Sequence, residues 1–481
     1  MAFKDNREFI EALERSGDVV RIGQEVSWDL EAGAIMRRSN ELRGPAVFCE
    51  KIKDYPKGHR IFGIPLSTKR RIAVAIGVAP DTPLPAVQEE YASRLKARIE
   101  PVVVKEAPCK ENVILGEQVD LYNFPAPMIH EGDGGRYIGS WHMIVSKDPD
   151  SDWSNWGMYR LMIAGRRHLA GLCEPNTHLW RIRENWAARF GREVNMPISI
   201  AIGADPLCSL VSATRFGLKS EADYAGALRQ EPVELIKCET NDLLVPAYAE
   251  IVLEGELLAE TRIAEGPFGE FPGYRSAPRE PRAAYQINAI THRNDPILTM
   301  SCMGIPVDDS QMIGAFVRGI AYKTLLKRAG IPVTNVYVPP EVADFLVIVG
   351  VKSASCEYSN IASKVENLIA ASPTMASKVI VVDEDVDVFN LGEVLHAFAT
   401  KCHPTRGIRL TDREVAGTNL APYLSPEERK WLKGARALFD CTWPLEWPRE
   451  TAVPPKMSFN EAYPKEVKEK VLQNWTSYGF K

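Results

Sequence analysis

The sequence predicts a multidomain chain of mixed α+β / α/β class. It has an N-terminal α/β unit, a central β domain of barrel or curled mixed-sheet type, and a C-terminal α/β domain. Three observations predict this. Helical and strand-like patterns alternate up to about residue 110 and again over about 310–440, strands dominate 136–300, and Pro-rich stretches mark the joints. At 481 residues the chain is long enough for about two to four domains with large cores.

The opening "MAFKDNREFIEALERSG" predicts an amphipathic helix over about 6–15, capped by Asp5 or Asn6, with Phe9 and Leu13 one turn apart. Its apolar runs are too short for a signal peptide. "GDVVRI" follows as a strand, and alternation continues through "RRIAVAIGV" and "PAVQEEYASRLKARI". The Pro-rich "NFPAPMIHEGDGG" (123–135) marks a boundary. Beyond it, "WHMIVSKD", "NWGMYRLMIA", "ISIAIG", "YAEIVLEGELL" and "AAYQINAITHR" predict strands, interrupted by a single helix, "SEADYAGALRQ". "IGAFVRGIAYKTLLKRAG" then predicts a helix, and "VTNVYVP", "DFLVIVGVK" and "KVIVVDEDVDVF" predict strands of a partly parallel sheet. The Pro-rich, aromatic tail ends in a short helix and is expected to pack on a neighbouring domain or subunit. The expected domains are 1–122, 123–305, 306–445 and a tail over 446–481.

Composition narrows the function. Hydrophobic residues at 45% and charged residues at 25% are ordinary for a soluble globular protein. A net charge of −5, without a basic tail or stripe, argues against a nucleic-acid partner. No stretch approaches the length of apolar sequence that spans a membrane. Nine cysteines without a C-x-x-C pair point to free thiols in a reducing cytoplasm and away from zinc. The common phosphate-binding loops and the H-E-x-x-H and G-x-S-x-G motifs are absent. The acid-rich "VDEDVDVF" (382–389) reads as a solvated strand-to-helix turn, with a metal site as the alternative.

"EGPFGEFPGY" (265–274) places Glu265 and Glu270 around Gly-Pro-Phe-Gly. The tetrapeptide predicts a tight turn, with Pro267 at its second position and Gly269 at its fourth. Two carboxylates brought close repel, which raises one pKa and makes a general acid. A solvated surface turn is the alternative. Three further stretches stand out: "SNWGMYR" (154–160) with Asn155 and Arg160, "CEPNTHLW" (173–180) with His178, and "KSEADYAGAL" (219–228), a helix start with Ser220 as N-cap and Glu221 at its first position. Singly, Asn155 reads as a turn residue, His178 as a core histidine and Glu221 as a complement to the helix dipole. Together they supply an amide oxygen, an imidazole and a carboxylate, a set suited to Mg²⁺ or Mn²⁺. Arg160 is a natural partner for one of the paired glutamates. Asn155 and Arg160, five residues apart, face opposite sides of a regular strand, so Gly157 is the expected site of a bulge or bend.

Taken in order, "DGGRYIG", "SKDP", "NWGMYR", "THLW", "EGPFGEFPGY", "VDEDVDVF" and "FDCT" make the chain resemble, over nearly its whole length, the UbiD family of aromatic and α,β-unsaturated acid decarboxylases. The resemblance implies a split-barrel-like flavin-binding central domain and prenylated FMN delivered by a flavin prenyltransferase. The aromatic tail predicts a homodimer or higher homo-oligomer built largely from the C-terminal third, since Trp443, Trp447 and Trp475 are expected to need cover. The resemblance also implies that Asn155, His178 and Glu221 hold Mn²⁺ or Mg²⁺ against the cofactor phosphate, with K⁺ nearby. Met158, Tyr159 and Arg160 are implied to run along the cofactor, and Leu172, Cys173, Glu174 and Thr177 to frame it. Arg160, Glu265 and Glu270 match the family's Glu-Arg-Glu network, with Glu270 as proton donor. The polar Glu174 and Thr177 depart from members acting on cinnamic-type acids and point to a polar, hydroxylated aromatic acid, with a polycyclic or heteroaromatic acid, or an aryl thioester carrying a free carboxylate, as alternatives. Lys352 is a candidate for phosphate or carboxylate contact, or else a strand-end lysine in solvent. UbiD-like chains also serve as assembly subunits of multi-component aryl carboxylases; the intact Arg160, Glu265 and Glu270 argue against that. The missing dinucleotide fingerprint argues against an ordinary flavoprotein oxidoreductase.

Overall fold

The structure is a computed structural model that describes residues 3–175, 177–275, 277–353, 360–413, 418–432 and 434–480. The first helix, Asn6–Arg15, buries Phe9, Ile10 and Leu13, and its cap is Asp5, which accepts the Glu8 N–H. Asn6 instead donates its side chain to Thr299 Oγ1 at 3.0 Å. "RRIAVAIGV" and "PAVQEEYASRLKARI" both form helices, Lys69–Ile76 and Leu84–Arg94. The first sheet has the order Val19–Val26, Ala46–Ile52, Arg60–Gly63 and Ile297–Met300. Its last strand arrives from beyond the central domain, so the two units share a core. Buried Glu250 ties them further, accepting both Nε and Nη2 of Arg7 at 2.7 Å.

The central sheet has nine strands. Its order runs Tyr137–Gly139, Leu161–Ile163, His168–Gly171, Glu280–His292, Ile251–Glu265, Met196–Ile202, His142–Lys147 and Ser154–Gly157, with Asn112–Leu115 paired to Glu280–His292. Every pairing in it is antiparallel. Connectivity dictates its shape. Strand Ser154–Gly157 lies at one end of the order, and the next strand in the chain, Leu161–Ile163, lies next to the other end. Laid flat, the six steps between them would cover about 29 Å. The chain from Gly157 to Leu161 reaches about 14 Å at full stretch. The sheet must therefore curl into a half-barrel, and Met158, Tyr159 and Arg160 bridge its seam. The predicted strand over "SNWGMYR" thus stops at Gly157, and Asn155 and Arg160 are both buried without a bulge.

Three helices, not one, interrupt the central strands: His178–Phe190, Pro206–Ser212 and Glu221–Arg229. Pro206–Ser212 is buried on every side, so it carries no amphipathic period to read. His178–Phe190 was legible in its Thr177 cap, which accepts the Trp180 N–H at 3.2 Å. Ser220 precedes Glu221–Arg229 without capping it; its hydroxyl accepts the Ser154 N–H at 3.3 Å instead.

The third unit has the order Val333–Tyr337, Leu346–Val351, Lys378–Asp383, Gly434–Cys441 and Ile408–Arg413; the three inner strands are parallel and both edges antiparallel. "VDEDVDVF" leaves the sheet at Asp383, which accepts from Ser353 Oγ, from Lys401 at 3.4 Å and from the Trp443 N–H at 2.9 Å. Trp443 and Trp447 are half-buried and pack together at 5.9 Å, with Lys401 and Arg406 over their faces, so they are largely covered within the chain itself. Trp475 stays exposed and stacks on Phe480 beside helix Lys465–Gln473. Among the described residues no helix is long and apolar enough to cross a membrane, and the cysteines are free thiols.

Candidate active site

The segment after strand Ile251–Glu265 is not the tight turn its composition predicts. The Gly269 N–H, which such a turn would give to the Gly266 carbonyl, donates to Asp133 Oδ1 at 3.1 Å, and the Gly266 carbonyl accepts from Arg279 at 3.2 Å. The Gly134 N–H donates to the Pro267 carbonyl at 2.7 Å. "HEGDGG" (130–135) therefore outbids the local turn, and the Gly266–Pro267 peptide is cis. The turn falls four residues later, at Glu270–Gly273, where the Gly273 N–H donates to the Glu270 carbonyl at 2.9 Å.

Arg160 lies between the two acids. Its Nε and Nη2 donate to Glu265 at 2.8 and 2.9 Å, a bidentate pair, and its Nη1 contacts Glu270. All three are buried, at 8% exposure for Arg160, 1% for Glu265 and 6% for Glu270. The like-charge contact expected between the acids is thus replaced by a shared cation. Tyr137 donates its hydroxyl to Glu265 Oε1 at 2.6 Å, its ring packs on Phe268 at 4.3 Å, and Phe268 lies 5.4 Å below the guanidinium. Burial, then the Glu265 charge, push the Tyr137 hydroxyl well above its ordinary pKa, so it remains a donor. Tyr137, Asp133 and Phe268 escaped the sequence reading, although all lie in the motifs that carry the resemblance.

A second cluster forms where two helices begin. Asn155 comes from the edge strand, His178 is the first residue of one helix and Glu221 the first of another. His178 Nδ1 lies 3.1 Å from Asn155 Oδ1 and 3.9 Å from Glu221 Oε1. Ligands around a small divalent ion lie roughly 3 Å apart, so His178 and Asn155 stand at that spacing, with Glu221 farther out at 3.9 Å. Asn155 Nδ2 is buried without a partner, and Glu221 Oε2 accepts the Trp156 N–H at 2.8 Å. Among the described residues no group of three or more His, Cys, Asp or Glu side chains could hold a metal, so an ion here depends on the Asn155 amide and on oxygens from outside the chain. Two helix N-termini beside it favour an anion.

The other expected site residues distribute as follows. The Met158 N–H donates to the Ser212 carbonyl at 3.2 Å, and Tyr159 lies over Gly157, where a Cβ would come 2.3 Å from its ring. Burial pushes the Tyr159 hydroxyl up to about 12 and the Cys173 thiol up to about 12. The Leu172 carbonyl accepts from Tyr285 at 3.0 Å. Glu174 pairs with Arg282 and, through its carbonyl, accepts the Thr177 hydroxyl at 2.7 Å. Asn176 of this loop lies outside the described residues. Lys352 is exposed and follows strand Leu346–Val351, in the third unit.

Comparison with known proteins identifies relatives along nearly the whole chain. Models of the N-terminal, Rift-related and C-terminal domains of 3-octaprenyl-4-hydroxybenzoate carboxy-lyase match residues 10–91, 101–306 and 311–441. Pyrrole-2-carboxylic acid decarboxylase of Pseudomonas aeruginosa is 33% identical, over 99% of this chain and 98% of its own. The closed form of Sedimentibacter hydroxybenzoicus vanillic acid decarboxylase superposes with a TM-score of 0.86 at 30% identity, over 99% of both chains. An evolved dimeric form of the UbiD-class enzyme HmfF from Pelotomaculum thermopropionicum, in complex with prFMN, gives a TM-score of 0.78 at 27% identity, over 93% of this chain and 96% of that one.

The hold of "HEGDGG" on the Glu265–Glu270 segment is testable at Gly134. A Cβ there would meet the Gly266 carbonyl oxygen at 2.0 Å and its carbon at 2.4 Å, both backbone. Gly134→Ala is expected to cost about 1–3 kcal/mol of stability, the usual range for overpacking. Urea denaturation followed by tryptophan fluorescence checks this; an unchanged midpoint would mean that the segment is not held as described.

Proposed function

The chain belongs to the UbiD family and is a carboxy-lyase, and we propose that it removes CO₂ reversibly and without net oxidation from a polar, hydroxylated aromatic acid, with Glu270 as the proton donor. The observation that carries this reading is the buried Arg160 shared by Glu265 and Glu270. Prenylated FMN is the cofactor of this reading; bound, it supplies the electron sink that loss of CO₂ from an sp² carbon requires. Asn155, His178 and Glu221 would hold Mn²⁺ or Mg²⁺ for its phosphate, with K⁺ nearby, and the two helix N-termini would favour the same anion.

The protein's own part is to place charge and a proton. Glu265 and Tyr137 fix Arg160 in one orientation, and the Phe268 ring supports its face. In this reading Arg160 receives the substrate carboxylate through Nη1 and releases Glu270. A carboxylate released beside a second negative group takes up a proton more readily. Glu270 then delivers that proton to the carbon that has lost CO₂ and regains one from solvent. Glu174, paired with Arg282, puts charge on the loop before His178 and supports a polar ring.

Assembly belongs to the same reading. Val467, Leu472, Trp475, Tyr478 and Phe480 leave an exposed apolar surface on the C-terminal helix and its end. The protein is expected to be a homodimer or larger, and light scattering showing a monomer at micromolar concentration would count against it.

Glu270→Gln keeps the shape and removes the transferable proton. Turnover of vanillate, pyrrole-2-carboxylate and related acids is expected to fall by about 10²–10⁴-fold, with cofactor occupancy retained. Glu265→Gln leaves Arg160 without its bidentate partner and is expected to lower occupancy as well. Full cofactor with undiminished turnover in Glu270→Gln would overturn the assignment. Glu221→Gln is expected to lose metal and flavin together on purification, as read by elemental analysis and by the flavin spectrum. Wild-type content of both would refute the metal reading.

A further inference from the structure

Glu270 sits in a segment without regular secondary structure, yet its neighbours on both sides are anchored to distant parts of the chain. The residue before it, Gly269, gives its N–H to Asp133 Oδ1 at 3.1 Å. The residue after it, Phe271, gives its carbonyl to the side-chain amide of Gln311. Gln311 is 1% exposed and lies in the first turn of helix Asp309–Arg328, which leads into the third unit.

The whole Gln311 amide is committed. Its oxygen accepts the Asp308 N–H at 2.8 Å and closes a capping box with the Asp308 side chain. Its Nε2 donates to the Phe271 carbonyl and to the Gly304 carbonyl at 2.9 Å. Gly304 belongs to the linker against which the acid's turn packs: a Cβ on Gly273 would lie 3.2 Å from Ile305 Cα and 3.5 Å from the Gly304 carbonyl oxygen. One side chain thus fastens three things together: the start of the helix, the linker before it and the peptide that follows the acid. Helix capping alone needs only the amide oxygen. The amide nitrogen, aimed at two carbonyls, has no part in the cap.

We infer that Gln311 is a positioning residue for the decarboxylation, acting through its Nε2 on the Phe271 carbonyl to fix where the Glu270 carboxyl stands relative to Arg160. This rests on Glu270 being the proton donor. The two functions of the amide separate by substitution. Gln311→Glu keeps an oxygen for the Asp308 N–H and turns the donor into an acceptor that faces two carbonyls. Gln311→Met keeps the volume and removes both functions.

The test uses purified, cofactor-loaded protein and whichever aromatic acid the wild type turns over fastest. Glu270→Gln is assayed on the same acid. Cofactor occupancy, melting temperature, kcat, KM and the solvent deuterium isotope effect on kcat are measured on each sample. Displacing a reacting group by about 1 Å costs on the order of 10²-fold, so both Gln311 variants are expected to lose about 10–100-fold in kcat per occupied site. KM should stay within about twofold, and the isotope effect should rise as proton transfer becomes more rate-limiting. Gln311→Glu is expected to melt closer to wild type than Gln311→Met while sharing its kcat loss. The inference is overturned if either variant keeps wild-type kcat per occupied site. It is overturned equally if the losses follow melting temperature with no change in isotope effect, or if neither variant folds, since Gln311 then serves folding alone. Wild-type turnover in Glu270→Gln would strike the proton-donor reading itself, whatever the Gln311 variants do.

Discussion

The seam of the central half-barrel is the constraint on which the rest depends. Three residues, Met158, Tyr159 and Arg160, carry the chain from one end of a nine-stranded sheet to a strand next to the other. So short a bridge forces the sheet to curl, and it places its own side chains at the opening of the curl. Arg160 is therefore buried by topology, and a guanidinium so placed must find carboxylates. Glu265 meets that need as the last residue of the longest strand, with both oxygens committed to Arg160. Glu270 completes it from the loop beyond. The two acids that look like a local pair in the sequence are organised by a residue more than a hundred positions earlier.

The same bridge sets the second cluster. Asn155 sits on the strand that leads into the seam, and helices His178–Phe190 and Glu221–Arg229 both start against it. Each contributes its first residue. Side chains at a helix start have backbone N–H groups beside them, which favour an anion there. The Asn155–His178–Glu221 cluster and the acid–arginine cluster thus lie at opposite ends of one short run, Asn155 to Arg160, which is why the spacing of "NWGMYR" is compact.

Much of this was legible in the sequence, for identifiable reasons. The α/β ends, the strand-rich middle and the partly parallel third sheet follow from periodicity, and the first helix from its apolar spacing. Asn155, His178, Glu221, Arg160, Glu265 and Glu270 stood out because each is a polar side chain in a segment otherwise fit for burial. What failed depended on partners far along the chain. The turn at Gly266–Gly269 lost its internal hydrogen bond to Asp133 and Arg279, and no local rule counts such competitors. Helix Pro206–Ser212 is buried all round and has no face to reveal it. Trp443 and Trp447 read as exposed because the cations that cover them, Lys401 and Arg406, are distant in sequence. Tyr137 shows no pattern at all until its hydroxyl is seen on Glu265.

On the proposed reading, charge stoichiometry selects which acid carries the proton. One guanidinium between two carboxylates leaves one negative charge in excess if both are ionised. A substrate carboxylate adds a second, in a place with little water to spread it. The least costly response is to take up one proton. In the proposed reading Glu270 carries it, as the acid with fewer donors. Glu265 has two bonds from Arg160 and one from the Tyr137 hydroxyl, whereas Glu270 meets Arg160 through a single nitrogen, the one the substrate would claim. In the proposed reading substrate binding loads the proton onto the acid beside it, and because CO₂ leaves as a neutral molecule the electron pair stays on the carbon that takes this proton. On that reading, geometry divides a pair of glutamates of identical chemistry into one that holds the arginine and one that moves a proton.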